Sequence, residues 1–180
     1  LSALKTMVEI CGLVKKEDRK KIYEEKSNVL EERIDKIFWD KNKNVYFDGY
    51  DIKKKKVIKR ISQHTHSYAI LLNLKKEYHK KWIEEILLPP MKVSPLQHPS
   101  IIEGSPFFYY YIIEAIKKVG GYEKEIIDFI KTRWGKMIEE GATTCWEVWA
   151  PELGTSSFCH AWSAHPVVHF IELNAGIKPI

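Results

Sequence analysis

Cysteine is scarce in this chain: Cys11, Cys145 and Cys159 are an odd number, and none stands in a Cys-x-x-Cys pair. That excludes a disulfide framework as the source of stability and points to a reducing, cytoplasmic setting. No stretch approaches the ~20 consecutive apolar residues that a bilayer crossing requires, so no membrane partner is expected. The start also lacks a charged segment followed by an apolar run, the mark of a secretory leader. The chain opens on Leu1 rather than Met, however, which leaves secretion open as an alternative. Basic residues interleaved with aromatics are missing too. The net charge of +5 is uneven, with 21 Lys/Arg against 14 Asp/Glu (+7) in residues 1–90 and 8 against 10 (−2) in the remainder. Much of the excess is Lys53-Lys54-Lys55-Lys56, set among acidic neighbours, and it reads as solvated surface rather than a nucleic-acid footprint.

What is present is a helical protein. With 44% hydrophobic residues, 180 residues suffice for one domain with a real core. Apolar residues recur at helical spacing in residues 1–13, from Lys16 to Trp39, from Ser62 to Leu74, and up to Leu88 before Pro89-Pro90. Three more helices are predicted: one starting with Pro106 in its first turn and ending at Gly120-Gly121, one over Glu123 to Glu140, and one from about Ser157 to Asn174 before Gly176. Ile22, Leu30, Ile34, Ile37 and Phe38 form the expected buried stripe of the second helix, and Ser62 is a plausible N-cap of the third. A small β-hairpin or turn is expected where Val45-Tyr46-Phe47 and Val57-Ile58 flank Asp48-Gly49-Tyr50-Asp51.

The joints between these helices alternate short and long. The short ones lie near 13–15, 74–76 and 119–121, the long ones at 40–61, 89–103 and 141–156. Short joints favour antiparallel neighbours, so every long loop falls at one end of the stack. That end also gathers helix N-termini with unpaired N–H groups and a positive dipole. The layout is all-α, an incomplete α/α toroid of about seven helices with its site at the long-loop end. An open arc exposes apolar helix faces, so the chain is expected to be truncated at both ends, one portion of a larger domain. It would be completed by the missing remainder of the barrel or by self-association through the open edge.

The last long loop carries the chemistry. Between Gly141 and His169 lie three of the six tryptophans, Trp146, Trp149 and Trp162, around Glu147 and several histidines. Indole faces stack on sugar rings, and a carboxylate among them exchanges protons with a bound ligand, although tryptophans are also common packing residues. Glu103, which precedes a glycine in the 89–103 loop, reads either as a substrate ligand or as a capping charge at a helix N-terminus.

The segment Trp134-Gly135-Lys136-Met137-Ile138-Glu139-Glu140-Gly141-Ala142-Thr143-Thr144-Cys145-Trp146-Glu147 resembles the bacterial α-L-rhamnosidases, in their six-hairpin (α/α)6 glycosidase domain. So does Ser157-Phe158-Cys159-His160-Ala161-Trp162-Ser163-Ala164-His165-Pro166. Gln63-His64 and Gly104-Ser105-Pro106-Phe107-Phe108 share the family look. The likeness covers most of the chain and is most specific over residues 133–179. It implies inverting hydrolysis of terminal α-L-rhamnosides with no cofactor, Glu147 matching the general base and His160 a histidine that contacts the sugar. Trp146, Trp149, Trp162, Glu103 and His64 complete the expected substrate-binding set, for a rhamnose-containing glycoside or oligosaccharide.

One element of the family pattern is missing. Inversion takes two carboxyl groups, and Asp48, Asp51 and Glu103 all sit in the wrong context for the general acid. The 180 residues alone are therefore expected to be inactive. Two alternatives stay open: an (α/α)6 hydrolase acting on another glycan, and a non-catalytic carbohydrate-binding or interaction remnant. His165 and His169 have the i, i+4 spacing of zinc ligands but no third ligand in sequence, so no metal is expected. Cys145 and Cys159 read as free thiols.

Overall fold

The computed structural model describes residues 1–150 and 156–177. They group into two compact units, Leu1–Lys59 and Arg60–Ile180. Among the described residues the chain forms seven helical segments, as the periodicity predicts.

In the first unit, α1 (Ser2–Leu13) packs against α2 (Glu17–Phe38) across a three-residue joint. Val14 to Lys16 turn the chain, with Lys15 in the left-handed region. The expected stripe of α2 is only partly covered: Ile22 and Ile37 are exposed, and Ser27 is the buried position. Two helices shield one side of each other and leave the rest to water or to other protein. The single hairpin of the sequence reading becomes two. β1 (Trp39–Asp40) pairs antiparallel with β2 (Val45–Tyr46), and β3 (Gly49–Asp51) with β4 (Lys56–Ile58). Asp48-Gly49-Tyr50-Asp51 is thus not the turn. The turns lie after Asp40 and Asp51, whose Oδ1 atoms accept the Asn42 N–H at 2.9 Å and the Lys54 N–H at 2.9 Å. These short side chains hold the bend themselves, which is why aspartate opens both. Lys53 to Lys56 are exposed, as expected of a solvated run.

The second unit holds the core. β5 (Ile61–Ser62) leads into α3 (Gln63–Leu71), and the Ser62 hydroxyl caps the helix by accepting the Thr65 N–H at 3.2 Å. After residues 72–75 a continuous helical run follows: a 3₁₀ turn (Lys76–Tyr78), α4 (His79–Trp82), a π-turn (Ile83–Leu87) and α5 (Leu88–Met91). The run therefore passes through Pro89-Pro90 instead of stopping before them. A wide π-turn has already broken the i→i−4 ladder there, so the missing proline N–H groups cost little. The Gln63 amide donates to Leu87 O at 2.7 Å.

β6 (Ile101–Ile102) pairs in parallel with β5. The next helix, α6 (Tyr109–Val119), begins after Pro106, which lies in the preceding turn rather than in the helix. Then come α7 (Glu123–Glu139), a 3₁₀ turn (Ala161–Ser163) and α8 (Pro166–Ala175), ended by Gly176 at φ +68°. Regular helix thus begins at Pro166, not near Ser157, because residues 157–160 bond to the loop before them. Trp82, Ile83, Leu87, Tyr109, Ile112, Ile113, Ile116, Ile126 and Ile130 are fully buried at the centre. Trp162, Val167, Val168 and Ile171 remain exposed, an apolar face of the kind an open arc leaves. No helix among the described residues is long and apolar enough to cross a membrane.

Candidate functional site

In the second unit the long loops 92–108 and 140–165 do meet. Trp149 Nε1 donates to Gly104 O at 2.8 Å, Trp134 Nε1 to Ser163 O at 2.8 Å, and His165 Nε2 lies 2.8 Å from Pro106 O. Three separate chain segments are joined by side-chain bonds to backbone carbonyls, so the loops are held without regular structure of their own.

Gly141, at φ +87°, releases the chain from α7. The two arms that follow run antiparallel. Glu147 N donates to Ser157 O at 3.0 Å and His160 N to Cys145 O at 2.8 Å, while Thr144 Oγ1 donates to Phe158 O. Ser157 holds Glu147 twice, because its N–H also reaches the Glu147 Oε2 at 2.9 Å. The Glu147 side chain is half-buried, and its Oε1 has no hydrogen bond among the described residues. A fixed carboxylate with one free oxygen can accept a proton from a water. The joining residues 151–155 lie outside the described ones.

The aromatic residues divide into two sets. Trp162 is 65% exposed, its ring 5.2 Å from Phe107 and 5.5 Å from His160. With Phe107, Tyr110 and His165 it lines a shallow depression of about 350 Å³. Trp146 and Trp149 are instead buried. Trp146 meets the edge of Phe158 at 5.5 Å, and Trp149 packs edge-on against Trp134 at 5.0 Å. The open ring platform is thus Trp162 with Phe107 and Tyr110. His64 is half-buried at the start of α3, its ring 4.1 Å from Phe108.

Glu103 is buried in an ion pair with Arg133 at 2.6 Å, and it also accepts from Leu96 N at 2.7 Å and Tyr109 OH at 3.1 Å. Burial pushes its carboxyl up, against the pull of Leu96 N–H and the guanidinium. Arg133, Gln63 and Tyr109 were not among the expected site residues. Their partners lie 30, 41 and 6 positions away, and no local pattern marks such pairings.

Three candidate ligands of a metal, Glu114, His169 and Glu172, bring their donor atoms within 4.8 Å of one another. The ammonium of Lys117 already bridges both carboxylates, so the cluster carries its own counter-cation. All three cysteines are free, and burial pushes the Cys145 thiol up, away from a reactive thiolate.

Burial also pushes the His165 imidazole down to about 4, and His169, with Nδ1 3.4 Å from its carboxylate, helped by Lys117, holds Glu114 at about 2. Unfolded histidine takes up a proton near 6.5, before folded His165 does, so this stability is complete above about pH 6.5 and lost toward 4. Glu114 contributes above about pH 4.5 and loses its share toward 2. His79, pushed down by burial as well, acts in the same direction as His165. Stability should therefore fall by roughly 2 kcal/mol between about pH 7 and 5, lowering the melting temperature, and His165→Gln should reduce that slope. A flat profile in the unaltered protein would contradict it.

The comparisons with known proteins agree with this architecture. A family model described as the bacterial alpha-L-rhamnosidase 6 hairpin glycosidase domain matches residues 1–173. Among solved structures, the chain is similar to a GH78 family rhamnosidase of Bacillus sp. GL1, at 27% identity and a TM-score of 0.77. That match covers 94% of this chain and 18% of the other. A rhamnosidase from Klebsiella oxytoca with rhamnose bound shares the fold at 19% identity and a TM-score of 0.67, over 97% of this chain and 32% of that one. No curated protein matches.

Proposed function

The chain belongs to the bacterial alpha-L-rhamnosidase 6 hairpin glycosidase domain family, and from that premise we propose that it is the C-terminal portion of a domain removing terminal α-L-rhamnose with inversion. Glu147 is the general base. Its carboxylate, held through Oε2 by the Ser157 N–H at 2.9 Å with no bond to Oε1 among the described residues, carries the assignment. Oε1 draws a proton from water as the water attacks the anomeric carbon and the glycosidic bond breaks. His160, one step along the same ladder, contacts the sugar, and exposed Trp162 with Phe107 offers an apolar surface to the 6-methyl group. His64 belongs to the same substrate-binding set.

The second carboxyl group comes from elsewhere in the intact barrel. An inverting pair stands about 6.5–9.5 Å apart with water between, and Glu103 is committed to Arg133. The test is an aryl α-L-rhamnoside given to the intact protein, beside a panel of other aryl glycosides, with the anomer of the first product read by NMR. Release of β-L-rhamnose from the rhamnoside alone is expected, and none from the 180 residues alone. Retention, or preference for another sugar, would overturn the assignment.

A further inference from the structure

We propose that Trp149 is a positioning residue: its indole N–H, anchored on Gly104 O, fixes the backbone that carries Glu147. The inference rests on Glu147 being the base. Only Val148 separates the two, so fixing Trp149 confines the Glu147 Cα within the ~7 Å that two residues span. Ser157 fixes the other side.

The anchor itself is rigid. Gly104 has no room for a side chain, since a Cβ there would stand 2.6 Å from Ile112 Cδ1. Its N–H donates to Gln63 Oε1 at 2.8 Å, and the same amide donates to Leu87 O at 2.7 Å. Glu103, next in the chain, is locked to Arg133. The carbonyl that receives the Trp149 N–H is therefore held by α3, by the end of the π-turn and by α7 at once. The indole is equally confined, with the Arg133 guanidinium 5.3 Å from its ring centroid and Trp134, Tyr109 and Phe129 at its edges and face. A buried indole must satisfy its one donor, and the acceptor that Trp149 finds is a carbonyl held from three sides.

Trp149→Phe in the intact protein keeps an aromatic ring beside Arg133 and deletes the donor. The expected result is a kcat lower by about ten- to a hundredfold with KM within a factor of two, because a base misplaced by a fraction of an ångström still lets the sugar bind. Replacing Trp149 with benzothienylalanine, which retains the bicycle and lacks the N–H, should give the same loss while the protein stays folded, its melting temperature lowered by only a few degrees. Unchanged kcat in the benzothienyl variant overturns the proposal, as does a loss that appears in KM and kcat alike. Glu147→Gln, measured in parallel, keeps the two ideas apart. If it stays active, the assignment of the base fails, whereas an inactive Glu147→Gln beside a fully active benzothienyl variant sinks the positioning role alone.

Discussion

Glu147→Gln in the intact protein should lower kcat by about 10²–10⁴-fold, the contribution of the positioned general base that we propose Glu147 to be. The substitution is nearly isosteric, and its amide oxygen still accepts the Ser157 N–H that Oε2 receives at 2.9 Å. Glu147 is half-buried and makes no ion pair among the described residues, so melting should shift by no more than ~0.5 kcal/mol of stability. KM should stay within a few-fold, because the proposed sugar contacts belong to His160 and the Trp162 platform. Steady-state kinetics on an aryl α-L-rhamnoside, beside a melting curve, separates the outcomes. A variant that keeps more than a tenth of kcat has not lost its base, and a variant that loses kcat together with its fold says nothing specific about the water.

How much of this was legible in the sequence depends on the range over which each feature is determined. The helices of the second unit and their alternating joints were visible because periodicity and caps are local: Ser62 caps α3 and Gly120 ends α6. The two hairpins were half-legible, since one of the aspartates that hold their turns, Asp51, ends the expected turn and the other, Asp40, stands well before it. The late start of α8 was hidden by competition. Residues 157–160 have helical character by pattern, but the bonds from Glu147 N to Ser157 O and from His160 N to Cys145 O hold them to the ladder.

Burial was the hardest property to read around the site. Trp146, Trp149 and Trp162 look alike in sequence, yet only Trp162 is exposed. What decides is the partner each finds: Arg133 and Gly104 for Trp149, Phe107 for Trp162. Glu103 shows the same ambiguity, as a charge beside a glycine at the loop end suits a ligand or an ion pair equally well until Arg133 is brought to 2.6 Å. The family motif located Glu147 because it compresses such distant contacts into a local string of residues. It included Gln63 in a family-like pair but gave neither Gln63 nor Arg133 a role, and the bonds that join them to Gly104 and Glu103 are visible only in the fold.

Arg133→Met should strongly destabilise the second unit. The Arg133 and Glu103 side chains are 3% and 1% exposed, so removing one leaves the other as a buried charge or a buried unmet acceptor. Breaking such a pair costs about 3–5 kcal/mol. At the 2–4 °C per kcal/mol expected for a chain of this size, the melting temperature drops on the order of 10 °C. Pro90 O and Val93 O also lose their donor, each bonded to Nη2 at 3.0 Å. Burial already pushes the Glu103 carboxyl up, and without the guanidinium it rises further. A folded carboxyl above its unfolded value binds protons more tightly than the unfolded chain does, so stability falls as pH rises through it. The deficit of Arg133→Met is thus expected to be larger near pH 7 than near pH 5, opposite in sign to the acid lability that His165 confers. The double variant Glu103→Leu/Arg133→Met should recover most of the loss, since an apolar pair of similar volume carries no desolvated charge. Melting curves of the two single variants and the double at both pH values measure the coupling directly. A double variant no more stable than Arg133→Met would show that the two Nη2 bonds to Pro90 O and Val93 O, rather than the unpaired carboxyl, account for the cost.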